Sequence, residues 1–128
     1  MNSTTTATQE LTLLNNGIIY CKVLPNKFLE LNDGKENLKA VSELSQGKPA
    51  AVLIDISRAT GISKECRDLF ASTQCADIQY AVGIVAQTVY SNLIGSFFLG
   101  FNKPLFPVRM FTEHSIAIEW LKTIEDDE

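Results

Sequence analysis

Two continuous runs of apolar residues constrain the fold of this chain more than any other feature of its sequence. Ala50–Ile56 (AAVLIDI) is broken only by Asp55, and Tyr80–Ala86 (YAVGIVA) contains no charged residue. Runs without polar alternation are typical of parallel strands that are buried on both faces. Such strands need helices against both faces of their sheet, so the two runs predict an α/β domain.

The segments around these runs supply the remaining elements. The Asn15-Asn16-Gly17 turn tolerates positive φ angles and predicts a hairpin between Leu11–Leu14 and Ile18–Leu24. Helices alternate with strands in the rest of the chain, which favours right-handed crossovers and a mostly parallel five-stranded sheet with about four helices, in the order ββαβαβαβα. The other predicted elements are a helix over Asp33–Ser45, a helix capped by Ser63, a helix over Val89–Phe101, a strand over Val108–Phe111 and a helix from Thr112.

The length and charge of the chain limit what it can be. Its 128 residues suffice for one domain, which we expect over residues 11–124, between a flexible tail at 1–10 and an acidic tail at 125–128. The net charge of −4 and the scattered Lys and Arg residues argue against nucleic acid as a partner. The apolar helix at Val89–Phe101 is shorter than the roughly 20 residues that a membrane span needs, so no integral membrane segment is expected.

Cys21, Cys66 and Cys75 form an odd set without a Cys-x-x-Cys pair. Each lies in or beside an apolar run, where a free thiol packs as a small hydrophobic group. Residues 1–10 lack the apolar core of a signal peptide. We therefore expect reduced thiols and a cytoplasmic location. The sequence shows no metal-ligand spacing and no cofactor motif, so neither a metal nor a cofactor is expected.

Three segments carry a resemblance to a known family: NNGIIYCKV at Asn15–Val23, GKPAAVLIDISRATGISKECRDLFAS at Gly47–Ser72, and FFLGFNKPLFPVRMFTEHSIAIEWL at Phe97–Leu121. With their element order, they resemble the SpoIIAA-like family of STAS- and SEC14-related bacterial proteins over about Glu10–Ile124. The resemblance implies the SpoIIAA-like fold. Because STAS-type domains often act through protein contacts, it also implies a regulatory or protein-binding module.

The best-known STAS function depends on a motif that this chain lacks. Anti-sigma-factor antagonists of that class carry a phosphorylatable serine in an Asp-Ser-Ser-Gly motif after the third strand. The corresponding stretch here is Ile62-Ser63-Lys64-Glu65, in which Ser63 stands at the aspartate position and Glu65 near the serine. The resemblance therefore does not extend to the phosphoserine motif.

The loop after the first apolar run is the richest in polar side chains. Ligands of open α/β sheets favour the crevice beyond the carboxyl ends of the strands, where residues 55–63, 86–88 and 111–113 are expected to meet. A structural role is the stronger alternative, since Ser63 is explained as an N-cap and a strand-end aspartate accepts hydrogen bonds from loop amides. The candidate ligand or partner loop comprises Asp55, Ser57, Arg58, Thr60, Ser63 and Arg67.

The helix at Val89–Phe101 is apolar on more than one face. Its sheet-facing side is expected around Leu93, Ile94, Phe97 and Phe101. Packing alone ranks first as the reason for its remaining apolar residues, self-association into a homodimer second, and a groove for a small apolar ligand third. The residues proposed for such an interface or groove are Tyr90, Phe98 and Leu99.

His114, the only histidine, is expected on the surface near the start of the last helix. Nothing in the sequence brings Cys66 or Cys75 to it, so no catalytic residue is assigned. Three functions are left open. The first is a non-enzymatic module that binds a protein partner or itself, and the second is a carrier of a small apolar or amphipathic ligand. The third is an enzyme that uses Asp55, with Arg58 or Arg67, on an anionic substrate.

Overall fold

A computed structural model describes residues 2–101 and 103–124, without the side chains of Phe97 and Phe101. The acidic tail predicted at residues 125–128 lies outside the described residues. The described strands and helices follow one another in this order: β1 (Ser3–Thr5), β2 (Gln9–Leu13), β3 (Ile19–Val23), β4 (Phe28–Leu29), α1 (Leu31–Leu44), β5 (Ala50–Asp55), β6 (Gly61–Ile62), α2 (Lys64–Phe70), α3 (Thr73–Ala76), β7 (Gln79–Val85), α4 (Val89–Phe101), β8 (Val108–Phe111) and α5 (His114–Lys122).

The main sheet is mixed and mostly parallel, with the strand order β1-β2-β3-β5-β7-β8. β1, β2 and β3 are antiparallel neighbours, whereas β5 runs parallel to both β3 and β7, and β8 runs parallel to β7. The two apolar runs form β5 and β7, which each have a strand on either side. Their buried, parallel character is therefore confirmed.

The sheet has six strands, which corrects the predicted five. Ser3–Thr5 pairs with β2, with Thr4 opposite Leu11, in a segment that was predicted to be a flexible tail. Pairing at the sheet edge satisfies the backbone hydrogen bonds of this Thr-rich segment, although it has few apolar residues to reveal a strand. The two-residue strands β4 and β6 form a separate parallel pair, and α3 adds a fifth helix.

The hairpin between β2 and β3 turns where the Asn-Gly pair predicts it. Gly17 has a φ angle of 86°, in the left-handed region that glycine adopts without strain. The Gly17 amide donates to the Leu14 carbonyl at 3.0 Å, and Asn16 Oδ1 accepts from the Ile18 amide at 3.1 Å. These bonds fix the register in which Leu11 lies opposite Cys21.

Helices cover the two faces of the main sheet unequally. On one face, Val41 of α1 and Phe98 of α4 share a buried cluster with Val52. On the other face, α5 is the helix that packs against β5, β7 and β8. Side chains alternate between the two faces along a strand, so every second residue of β2 and β3 points to the α5 side. Because α5 packs on β5, β7 and β8, several residues on that side of β2 and β3 are polar and exposed: Glu10, Thr12 and Lys22.

α4 buries a side that agrees only in part with the one that was predicted. Ser91, Gly95 and Phe98 are buried. Of the residues expected on the sheet side, Ile94 packs against the core and Leu93 is 62% exposed, and the side chains of Phe97 and Phe101 lie outside the described part of the structure. A Cβ on Gly95 would lie 2.8 Å from Met110 Cε, so the small residues let α4 approach the sheet closely. Within the described chain, no helix combines the length and the hydropathy of a membrane span.

Candidate functional site

The three connections beyond the carboxyl ends of β5, β7 and β8 meet at Gln87. Its amide donates to Ser57 Oγ at 3.1 Å, and its side-chain Nε2 donates to the Thr112 carbonyl at 3.3 Å. Ser57 is in turn held by Asp55, whose Oδ1 accepts from the Ser57 amide at 2.8 Å. Gln87 therefore joins the loops that follow three neighbouring strands, through its backbone amide on one side and its side chain on the other.

Asp55 also binds His114, which the sequence placed on the surface without a partner. Nε2 of His114 lies 2.9 Å from Asp55 Oδ2, although the two residues are 59 positions apart. The pair forms because Asp55 faces the side of the sheet that α5 covers and α5 begins at His114. The side chains of Asp55 and His114 are 11% and 36% exposed. The aspartate is therefore enclosed while the imidazole still reaches solvent.

Tyr20 of β3 completes this cluster. Its hydroxyl oxygen lies 3.3 Å from His114 Nε2, and its ring meets the imidazole edge-on, at 86° and 5.6 Å between centroids. Burial raises the pKa of the Tyr20 phenol above its ordinary value, and the charge of Asp55 raises it further. The phenol is therefore neutral at physiological pH. We call Asp55, His114 and Tyr20 the Asp-His-Tyr cluster.

The other members of the predicted loop do not join this cluster. Ser63 accepts from the Cys66 amide at 3.1 Å as the N-cap of α2, and Arg67 lies within α2, which packs against α1. Arg58 is exposed, and its carbonyl accepts from the Asn26 amide at 3.0 Å. Of the six predicted residues, the structure brings Asp55 and Ser57 together and leaves Ser63 and Arg67 on the opposite side of the sheet.

The three α4 residues predicted to form an interface or groove do not all lie on one side of the helix. Phe98 is buried in the core and Leu99 is half-buried against it, so neither is on the outward side. Three apolar side chains stand there instead, exposed by 83%, 59% and 62% respectively: Val89, Tyr90 and Leu93. We call these three residues the α4 surface. The phenol of Tyr90 donates to the Thr60 carbonyl at 2.6 Å, which links this surface to the loop after β5.

An apolar cleft lies beneath α4, between that helix, the sheet and β6, with an interior volume of about 70 Å³. Asn37 and Gln79 are the polar side chains on its wall. Pockets that hold drug-sized ligands measure roughly 300–1,000 Å³. The cleft is therefore large enough for a molecule of a few atoms and too small for a lipid. Its apolar wall includes Ile54, Ile56, Ile84, Ile94, Phe98 and Phe106.

The three cysteines are buried and free. Burial raises the pKa of each thiol from its ordinary 9.0 to about 12, so all three are protonated at neutral pH. In the described part of the chain, no group of three or more His, Cys, Asp or Glu side chains is placed to hold a metal ion.

Comparison with solved structures identifies the fold as SpoIIAA-like. An uncharacterized protein of the DUF3478 family with a SpoIIAA-like fold, from Shewanella loihica PV-4, superposes with a TM-score of 0.61. The match covers 92% of this chain and 98% of that one, at 16% identity, and it supports the resemblance seen in the sequence. A protein of unknown function from Arthrobacter sp. FB24 also matches, over 89% of this chain and 92% of that one, at 19% identity and a TM-score of 0.31.

The chain belongs to the family described as "Domain of unknown function (DUF7793)", whose model matches residues 12–125. No curated protein matches the chain. The fold and the family are thus shown.

Proposed function

We infer that the chain is a non-enzymatic regulatory module that binds another protein through the α4 surface. The observation that carries this proposal is the exposure of three apolar side chains on one helix, which contains no charged residue. Val89 and Leu93 are four positions apart and form one ridge along the helix. Contiguous exposed apolar side chains of this kind mark contact sites on otherwise soluble proteins.

The loop after β5 supplies a polar border to the α4 surface. The bond from Tyr90 to the Thr60 carbonyl places the loop against the helix, and Arg58, two residues earlier, is exposed. A protein interface commonly has an apolar centre and a polar rim, and this arrangement fits that anatomy. The protein partner is either a second copy of this chain or a different protein with an apolar contact surface.

The substitution Leu93→Asp tests the proposal, with Leu105→Asp as its matched control. Leu93 and Leu105 are 62% and 60% exposed, so both variants should fold, but only the first changes the α4 surface. Loss of a buried leucine contact and burial of a charge should weaken association by roughly 2 kcal/mol or more, about 30-fold in Kd.

Light scattering of the purified protein measures self-association, and affinity capture with each of the three proteins as bait measures binding of other proteins. We expect Leu93→Asp to lower the oligomeric mass or to lose a partner that the wild type and Leu105→Asp both retain. A monomeric wild type whose recovered partners are the same as those of Leu93→Asp would contradict the proposal.

The cleft beneath α4 favours a second candidate function, the binding of a small apolar ligand. Its volume of about 70 Å³ admits only a few heavy atoms, so a SEC14-like lipid cargo would require α4 to move away from the sheet. Native mass spectrometry of freshly purified protein should then show a retained small molecule. A spectrum that contains only the mass of the chain, before and after incubation with short-chain fatty acids, argues against a carrier.

A further inference from the structure

The pairing of His114 with Asp55 decides which ring nitrogen of the histidine carries a lone pair. An ionised carboxylate only accepts hydrogen bonds, so Nε2 holds the proton that points to Asp55 Oδ2. In the neutral ring Nδ1 then carries the lone pair, and no hydrogen bond to it is made by the described residues. We propose that Nδ1 of His114 is a nucleophile that accepts a phosphoryl group from an anionic donor of the acyl phosphate or phosphoramidate type.

The surroundings of the imidazole hold it in place for such a reaction. Asp55 is fixed by the Ser57 amide on its other oxygen, and the Tyr20 ring packs edge-on against the imidazole. A nucleophile that is oriented by a second group, itself oriented by a third, is the general arrangement of an activated side chain. With 36% of its side chain exposed, His114 remains accessible to a small donor.

The start of α5 contributes one interaction that favours an anionic donor and one that opposes it. His114 is the first residue of α5. Nδ1 is bonded to Cγ, so fewer covalent bonds separate it from the backbone of this first turn than separate Nε2. The amides of a first helical turn lack intrahelical partners, and the N-cap residue Glu113 makes no side-chain hydrogen bond to them. These amides would stabilise the negative charge of a bound donor. The exposed carboxylate of Glu113 would repel that charge.

The transfer balances without any further reactant. The Nδ1 lone pair forms a bond to phosphorus, and the bond from phosphorus to the leaving group breaks with its electron pair. The leaving group departs as a carboxylate from an acyl phosphate, or as ammonia from phosphoramidate. The ring keeps its proton on Nε2 and becomes cationic, so Asp55 stabilises the product through the hydrogen bond that it already accepts.

Potassium phosphoramidate is the probe for the first test, and phosphorus NMR with mass spectrometry is the readout. Because the chain has one histidine, any acid-labile phosphoryl group on a ring nitrogen can be assigned to it. We expect the folded wild type to be modified at Nδ1, about tenfold or more faster than the same chain in urea. In a free histidine Nε2 is the less hindered nitrogen, so modification at Nε2, or equal rates in the two states, would overturn the proposal.

Two substitutions of carboxylates on or near α5 test the role of the neighbours. Asp55→Asn should slow transfer about tenfold, because the ring cation loses its charged acceptor. Glu113→Gln should speed transfer, because the opposing charge is removed. Glu119→Gln makes the same charge change further along α5, where Glu119 pairs with Lys122, and should leave the rate unchanged.

A rate for Asp55→Asn equal to that of Glu119→Gln would show that Asp55 does not activate the ring. If Asp55→Asn fails to fold, the decision rests on the wild-type site of modification and on the ratio of folded to unfolded rates, since neither needs a variant. The proposal does not depend on partner binding at α4, so a chain that loses partners through Leu93→Asp should still be modified at His114.

Discussion

The substitution Gly34→Ala tests how closely α1 and α2 approach each other. Gly34 is buried within α1, and a Cβ at this position would lie 2.9 Å from Cys66 Sγ and 3.0 Å from Leu69 Cδ2 of α2. Ordinary Cβ contacts are longer than about 3.4 Å, so the two helices would have to separate by roughly half an ångström. Close-packed cores resist such shifts.

The expected change in the free energy of unfolding is the difference between two opposing effects. Alanine is favoured over glycine inside a helix by about 1 kcal/mol, whereas an extra methyl group in a packed core costs about 1–3 kcal/mol. We therefore expect Gly34→Ala to lower the free energy of unfolding by about 1 kcal/mol, or the Tm by roughly 4 °C. Urea and thermal unfolding followed by circular dichroism measure both quantities.

A matched control and a compensating variant complete this test. Gly100→Ala adds a methyl group to α4 where no described atom lies within 4 Å, apart from the helix's own backbone and the two neighbouring residues, so it should leave stability unchanged or raise it by up to about 1 kcal/mol. Cys66→Ala removes the nearest atom, so in the double variant the effect of Gly34→Ala should shrink by about 1 kcal/mol or more. If Gly34→Ala is as stable as Gly100→Ala, which gains the same helix propensity without the close contact, α1 and α2 are not in the contact described.

Two further predictions concern the thiols and a helix cap. Because burial raises the pKa of Cys21, Cys66 and Cys75 from 9.0 to about 12, the native chain should not react with a thiol reagent near pH 8, while all three thiols should react in denaturant. The same shifts contribute stability that is fully present below pH 9 and is lost as the pH rises towards 12; a native thiol that titrates near pH 9 would contradict this. Ser63→Ala should lower the free energy of unfolding by about 1 kcal/mol, measured by urea unfolding, because the Cys66 amide loses its cap; an unchanged value would show that water replaces the serine.

The elements that the sequence predicts well are those whose pattern reflects their own burial. β5 and β7 are enclosed on both faces, so nearly every residue is apolar, and α4 and β8 have the predicted bounds. β1 is different. It lies at the edge of the sheet and gains its stability from backbone pairing with β2, so its Thr-rich sequence carries no apolar signal.

The sheet-facing side of α4 was predicted only in part, because a helix that is apolar on more than one face does not indicate which side is buried: Ile94 packs against the core and Leu93 does not. The spacing of its small residues does contain that information. Ser91 and Gly95 lie four positions apart on the side that approaches the sheet, and Phe98 continues that stripe. Leu93, on the opposite side, was grouped with Ile94 on the face expected to meet the sheet, and it is exposed instead.

The Asp-His-Tyr cluster was missed for a different reason. Asp55 was recognised as a candidate from its position at a strand end, but its partner is 59 residues away along the chain. The prediction that the connections after β5, β7 and β8 meet was correct, and His114 is one residue beyond the last of them. Extending that prediction by a single turn of helix would have placed the histidine beside the aspartate.

The unequal covering of the sheet has a consequence for how the molecule opens. β5 and β7 are enclosed by helices on both sides, so their amide protons should exchange with solvent only when the whole domain unfolds. β1 and β2 lack a helix on the α5 side among the described elements, and their amides should exchange through a smaller, local opening. In such an opening α5 would stay packed on β5, β7 and β8 and keep Asp55 and His114 together. The Asp55–His114 pair should therefore remain intact while the antiparallel edge of the sheet is open.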